Sequence, residues 1–165
     1  MSIVGITETT QFLTFHLDQE VFAIDISRIK EVLEFSSVTK IPRTPDFMCG
    51  VINLRGSVVP VVDLRLKLGM SRSEKTVNTC VIIIDVTQED CTTVIGAMAD
   101  SVKEVMDLDP SQIEPPPKIG TGLRTDFIRG MGKQHDQFVI LLDTDKVFSA
   151  DELSLLNETG KSPQG

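Results

Sequence analysis

The stretch Asp46-Phe47-Met48-Cys49-Gly50-Val51-Ile52-Asn53-Leu54-Arg55-Gly56-Ser57-Val58-Val59-Pro60-Val61-Val62-Asp63 holds two apolar runs, residues 47–54 and 58–62, on either side of Arg55-Gly56-Ser57. Runs rich in β-branched residues, separated by a short turn containing glycine, predict a β-hairpin. Asp63 then stands where a carboxylate caps a short helical turn over residues 64–68, and Gly69 ends that turn. Eighty residues further on the pattern returns: Asp46-Phe47 lies over Asp126-Phe127, Gly50 over Gly130, Val59 over Val139 and Asp63 over Asp143.

A second register extends the repeat. Shifted by 73 residues, Lys30-Glu31-Val32-Leu33-Glu34 lies over Lys103-Glu104-Val105-Met106-Asp107, Ile29 over Val102 and Pro42 over Pro115. The seven-residue difference between the two shifts is one insertion in the proline-rich bend at Pro115-Pro116-Pro117. Two copies are too few for a solenoid and imply two similar units packed together. Residues shared by both copies answer to the fold, and Gly50 with Gly130 mark a backbone position where a Cβ does not fit. Residues present in one copy need another reason. Asn53-Leu54-Arg55-Gly56 lies over Lys133-Gln134-His135-Asp136, so turn geometry alone does not demand Asn-Leu-Arg-Gly.

Outward from the repeat, residues 11–17 alternate, with Leu13, Phe15 and Leu17 on one side, and pair across Asp18-Gln19-Glu20 with residues 21–24. Asp25 and Ser27 are placed to cap a short helix carrying Ile26, Ile29 and Val32 or Leu33. A strand is expected over residues 38–41, broken by Pro42 and Pro45. Residues 80–86 and 93–98 form another hairpin, 101–106 a short segment, and 127–131 with 138–142 the closing pair. Ser149 with Glu152 reads as a capping box for a final helix bearing Leu153, Leu155 and Leu156, which frays from Asn157. Many short strands with little helix make the fold mainly β, of small barrels or sandwiches. Residues 1–10 read as a flexible arm, 11–157 as the folded domain with its two subdomains joined near 70–80, and 158–165 as a flexible tail.

The chain has 165 residues, 41% of them apolar, with eight Phe and neither Trp nor Tyr, so its core rests on Val, Ile, Leu and Met. A formal charge of −8 repels phosphate backbones and argues against nucleic acid as a partner. The first ten residues lack the basic and apolar regions of a signal peptide, and no apolar run approaches the roughly 20 residues of a bilayer span. A soluble, cytoplasmic protein without membrane insertion is expected. Cys49, Cys80 and Cys91 share no ligand spacing with His16 or His135, so they read as reduced thiols in or near the core, and no metal is expected.

The run from Ile41-Pro42-Arg43-Thr44-Pro45 through Gly50-Val51-Ile52-Asn53-Leu54-Arg55-Gly56 to Val59-Pro60-Val61-Val62-Asp63-Leu64 resembles the signature of CheW-type chemotaxis proteins. The hairpin over residues 12–24 and Lys30-Glu31-Val32 fit as well, and the similarity covers residues 11–157. The resemblance implies two five-stranded SH3-like β-barrel subdomains, intertwined and packed together, with short connecting helices and a C-terminal helix. It further implies a non-catalytic adaptor that couples the cytoplasmic tips of methyl-accepting chemotaxis receptors to the regulatory domain of the histidine kinase CheA. Such an adaptor would be recruited to membrane-associated chemoreceptor arrays and could also contact other CheW copies. The chain departs from the family at Gly96-Ala97-Met98-Ala99-Asp100, where bulkier branched residues more often precede the Asp.

On this reading, Arg55 at the hairpin tip pairs with Glu31 and shapes the groove where the receptor docks. Ile29, Val32, Met98 and Val102, from equivalent places in the two halves, are expected to line that groove, with ordinary core packing as the alternative. Phe35, Val38, Lys118 and Ile119 are the candidates for a kinase-facing surface. No catalytic residues and no cofactor are expected: Asp63 with Asp143, and Glu31 with Glu104, recur in both halves and so read as caps and turn residues. Two alternatives stay open: an adaptor of the same type for a different kinase pathway, such as surface motility or biofilm control, and a small-ligand-binding or hydrolytic β-barrel.

Overall fold

A computed structural model describes residues 8–72, 74–88, 90–116, 127–134 and 136–160. In chain order the strands are β1 (Thr10–Leu17), β2 (Glu20–Asp25), β3 (Ile29–Glu34), β4 (Met48–Leu54), β5 (Ser57–Asp63), β6 (Cys80–Gln88), β7 (Cys91–Ala99), β8 (Ser101–Leu108), β9 (Ile113–Glu114), β10 (Ile128–Gln134) and β11 (Gln137–Leu142). Helix α1 (Leu64–Lys67) follows β5, and α2 (Ala150–Gly160) closes the described chain. Strand β1 takes up Thr10, the last residue of the expected arm, and α2 runs past Asn157, where the sequence put its end.

The strands form two curled sheets, one for each barrel subdomain. One has the order β8-β1-β2-β11-β10-β9 and the other β3-β6-β7-β5-β4. Each sheet draws on both halves of the chain. The hairpin β1–β2 sits between β8 and β11, and the hairpin β6–β7 sits between β3 and β5. Both exchanged hairpins join their host through one antiparallel seam, β1–β8 or β3–β6, and one parallel seam, β2–β11 or β5–β7. The two barrels are therefore intertwined, each completed by a hairpin from the other half.

The repeat holds down to its irregularities. A bulge leaves Lys30 unpaired between Ile29 and Glu31 of β3, and another leaves Lys103 unpaired between Val102 and Glu104 of β8. Bulges at Cys49 and Arg129 interrupt β4–β5 and β10–β11 in the same way. The Asp63 amide donates to the Phe47 carbonyl at 2.7 Å and the Asp143 amide to the Phe127 carbonyl at 2.8 Å. The carboxylate of Asp63 accepts from the Arg65 amide and that of Asp143 from the Asp145 amide, which makes both aspartates caps.

Two local expectations are corrected. Residues 29–34, expected to continue a helix, form strand β3 after a single 3-10 turn at Ile26–Arg28 capped by Asp25. Here Ile29, Glu31 and Leu33 are half-buried while Lys30, Val32 and Glu34 are exposed, the period-2 alternation of a strand with one face on its barrel. Residues 38–41 contribute only a bridge between Thr39 and Val51, not a strand. Its counterpart in the other sheet is β9, two residues long, whose Glu114 pairs with Met131.

Three apolar clusters follow from this topology. The largest lies between the sheets and takes Leu13, Phe15, Leu17 and Ile24 from one, and Met48, Ile82, Ile84 and Ile95 from the other. Smaller clusters fill the two barrels, around Phe12, Leu108 and Leu141 in one and Val61, Val81 and Ile83 in the other. Strand β6 is buried on both faces, so Val81-Ile82-Ile83-Ile84 reads as an unbroken apolar run.

Gly50 has φ of +151°, and a Cβ built on it would lie 2.4 Å from the Thr39 carbonyl oxygen. Thr39 crosses there because its amide and carbonyl bond to Val51 at 2.9 and 2.8 Å. Gly50→Ala should therefore lower unfolding free energy in a urea titration by about 3 kcal/mol, combining backbone strain with steric clash. Gly56→Ala, with φ of +88° and open space around it, should cost only about 1 kcal/mol.

Candidate docking site

Leu54 pairs with Ser57 across the β4–β5 hairpin, leaving Arg55 and Gly56 as a two-residue turn. Both have left-handed backbone, φ 51° and 88°, the geometry that lets a tight hairpin follow the twist of its strands. The Asn53 side-chain oxygen accepts from the Gly56 amide at 2.8 Å and braces the turn. Every residue of Asn53-Leu54-Arg55-Gly56 but the leucine thus has a local polar or backbone task, and the leucine packs against the barrel cluster.

Arg55 is held by Glu31 on β3. Its two terminal nitrogens donate to the two carboxylate oxygens at 2.5 and 2.9 Å, a fork-on-fork pair. The bulge at Lys30 brings Ile29 and Glu31, two residues apart, opposite neighbouring residues Ile84 and Ile83 of β6, which re-aims the Glu31 side chain. Hydrogen bonding from Arg55 holds the Glu31 carboxyl below its ordinary value; partial desolvation opposes this and the guanidinium charge adds to it. The same pair raises the Arg55 guanidinium further above neutrality. Arg55 keeps 73% of its side chain exposed. An ion pair this exposed contributes little to stability.

The pair borders an open cleft of about 630 Å³ whose walls include Lys30, Val59, Val94 and Leu156. The sequence reading missed Val94 and Leu156: neither belongs to the repeat segments that drew attention to Arg55, and only the packing of β7 and α2 brings them there.

Of the expected groove residues, Ile29 and Val102 occupy matching positions beside the bulges of β3 and β8, and both pack half-buried against the central cluster between the barrels. Val32 points outward, 42% exposed, and its repeat partner Val105 does the same at 47%. Met98 is corrected to a core residue. It is 1% exposed and packs with Val61, Val81 and Ile83 inside one barrel, because along β7 it alternates with Ala97 and Ala99, which face the layer between the barrels.

Phe35 and Val38 are half-buried against the same barrel cluster, and the Lys75 ammonium lies 5.2 Å from the Phe35 ring centroid. Lys118 and Ile119 lie outside the described residues, as does His135. His16 on β1 has its Nδ1 3.2 Å from the Ser101 hydroxyl. Cys80 is buried and Cys49 partly so, the latter's thiol pushed up to about 11 chiefly by burial, whereas Cys91 is exposed rather than in the core.

A family model for the CheW-like domain matches residues 11–152. The chain belongs to the CheW family. It is 36% identical to the chemotaxis protein CheW of Klebsiella aerogenes, over 97% of this chain and 94% of that one. It is 31% identical to CheW of Thermotoga maritima, over 83% of this chain and 86% of that protein. The crystal structure of the scaffolding protein TtCheW from Thermoanaerobacter tengcongensis superimposes with a TM-score of 0.76 and 34% identity, covering 87% of this chain and 94% of that one. The chain is thus a chemotaxis adaptor built on the CheW fold.

The depressed Glu31 carboxyl sets a pH dependence for this CheW domain. Whatever order the pair confers is complete above the ordinary carboxylate pKa and is lost as pH falls through the lowered native value. In a carbon-detected NMR titration, Glu31 should show a midpoint below the usual carboxylate value of about 4.3, and Arg55→Ala should move it upward. Identical midpoints in the two proteins would contradict the pairing.

Proposed function

We propose that this adaptor joins the cytoplasmic tips of methyl-accepting chemoreceptors to the histidine kinase CheA, binding each through a different face and catalysing nothing itself. The observation that carries the reading is the bidentate Arg55–Glu31 pair, set on a hairpin turn whose Asn-Leu-Arg-Gly sequence the second half of the chain does not repeat. An ordered cation with three-quarters of its side chain in solvent is a recognition element for an acidic or polar helix end. Ile29 and Val102 belong to the layer between the barrels, and exposed Val32, on the opposite face of β3 from Glu31, offers apolar area to an amphipathic receptor helix.

The non-catalytic reading is supported by the carboxylates that recur in both halves, since Asp63 and Asp143 are used as backbone caps. Phe35 and Val38, with Lys118 and Ile119, remain our candidates for the kinase-facing side. Among the described residues no helix is long and apolar enough to cross a membrane. That is compatible with a cytoplasmic protein drawn to the membrane through its receptors. Weak single contacts suffice there, because an array multiplies them.

The test is co-sedimentation with receptor-containing membranes and CheA. Arg55→Ala should weaken receptor binding about tenfold, the scale of one lost charge-assisted contact, while CheA binding stays within about twofold on the same scale. The exchanged pair Arg55→Glu with Glu31→Arg should recover part of the loss. Receptor binding unaffected by Arg55→Ala would refute the assignment.

A further inference from the structure

Lys67 is an unusual lysine: its side chain is only 8% exposed. Its ammonium lies 5.4 Å from the ring centroid of Phe47 and 5.8 Å from that of Phe148, and 3.3 Å from Oε1 of Glu152. The two rings are themselves 6.0 Å apart and tilted by 45°. Lys67 belongs to α1, Phe47 immediately precedes β4, and Phe148 and Glu152 lie just before and within α2. This largely buried cation thus links the β4–β5 barrel to the start of the C-terminal helix through one cation–π contact, with Phe148, and the Glu152 ion pair, while its contact with Phe47 stays within the barrel; cation–π contacts gain strength when desolvated.

The same Glu152 oxygen accepts from the Ser149 amide at 2.8 Å, and the Ser149 hydroxyl accepts from the Glu152 amide at 3.1 Å, a complete capping box. Start of helix and lysine contact therefore share one atom. Once docked, α2 places Leu153 and Leu156 in the central cluster and packs against β5, the strand returning from the Arg55 turn. Leu156, fully buried, lines the cleft that Arg55 and Glu31 border.

We infer that Lys67 is a positioning residue for receptor docking, the latch that seats α2 as a wall of the Arg55–Glu31 cleft. The inference rests on the reading of that cleft as the receptor site. A helix of this length is marginal by itself, so its docked fraction depends on its few tertiary anchors. If docking of α2 is needed for binding, apparent receptor affinity scales with that fraction.

The experiment compares Lys67→Gln, Lys67→Arg, Glu152→Gln and Arg55→Ala in the intact chain. Hydrogen exchange of residues 150–156 reports helix seating, and co-sedimentation with receptor membranes and with CheA reports binding. Lys67→Gln should speed exchange in α2 and lower receptor affinity about three- to tenfold, in proportion to the undocked fraction, with CheA affinity unchanged. Glu152→Gln, which keeps the capping box, should move both readouts less in the same direction, and Lys67→Arg should restore both. With Arg55→Ala impaired, faster α2 exchange in Lys67→Gln without loss of receptor affinity would overturn the latch, as would loss of affinity with α2 exchange unaltered, or no change in either. An Arg55→Ala protein that binds receptor normally would instead overturn the docking site itself, and the latch's receptor role with it.

Discussion

Everything in this molecule depends on two hairpins being buried on both faces. β1–β2 and β6–β7 each lie in the middle of a sheet whose remaining strands come from the opposite half of the chain. One face of each hairpin fills its host barrel and the other fills the layer between the barrels. Neither barrel has a complete interior without the other half, so the subdomains are tied by shared strands as well as by surface contact. Such an arrangement resists relative sliding, because any displacement opens cavities in three cores together.

That rigidity is what an adaptor requires. A protein that passes a conformational signal between two partners must hold its faces at a fixed separation, or the shift made by one is lost before it reaches the other. The bulges serve the same end. At Lys30 and Lys103 they leave one residue of an edge strand unpaired, which discourages indiscriminate strand addition. At Lys30 the bulge also turns Glu31 toward the hairpin tip that carries Arg55. Further polar ties cross between the sheets: Asp145, after β11, accepts from Arg28 and from the Thr87 amide of β6.

Much of the fold was legible because the chain states it twice. The +80 register aligned β4 with β10 and β5 with β11, strand for strand, including the bulge and the capping aspartate of each. The misreadings share a cause. Residues 29–34 offer apolar side chains at spacings that suit a helix as well as a strand, and only pairing with β6 decides between them. Met98 stood at a position equivalent to groove residues yet lies in a barrel interior, since it alternates with Ala97 and Ala99 along β7 and so faces Val61, Val81 and Ile83 rather than the layer between the barrels. Val94 and Leu156 could not be connected with Arg55 by any local pattern, since they reach it from distant parts of the chain.

By itself the sequence determined the alternation of short strands and turns, the twofold internal repeat, the family, and the identity of Arg55 and Glu31 as a pair worth joining. The pairing follows from the family resemblance; the rest depends on local periodicity and on residue types at fixed spacing, which a linear chain carries in full. Only the tertiary structure decided which hairpins are exchanged between barrels, which apolar residues face solvent, and that Lys67 is buried between two rings beside Glu152. Those outcomes are settled by competition among distant segments for the same buried space, and no stretch of sequence records its rivals.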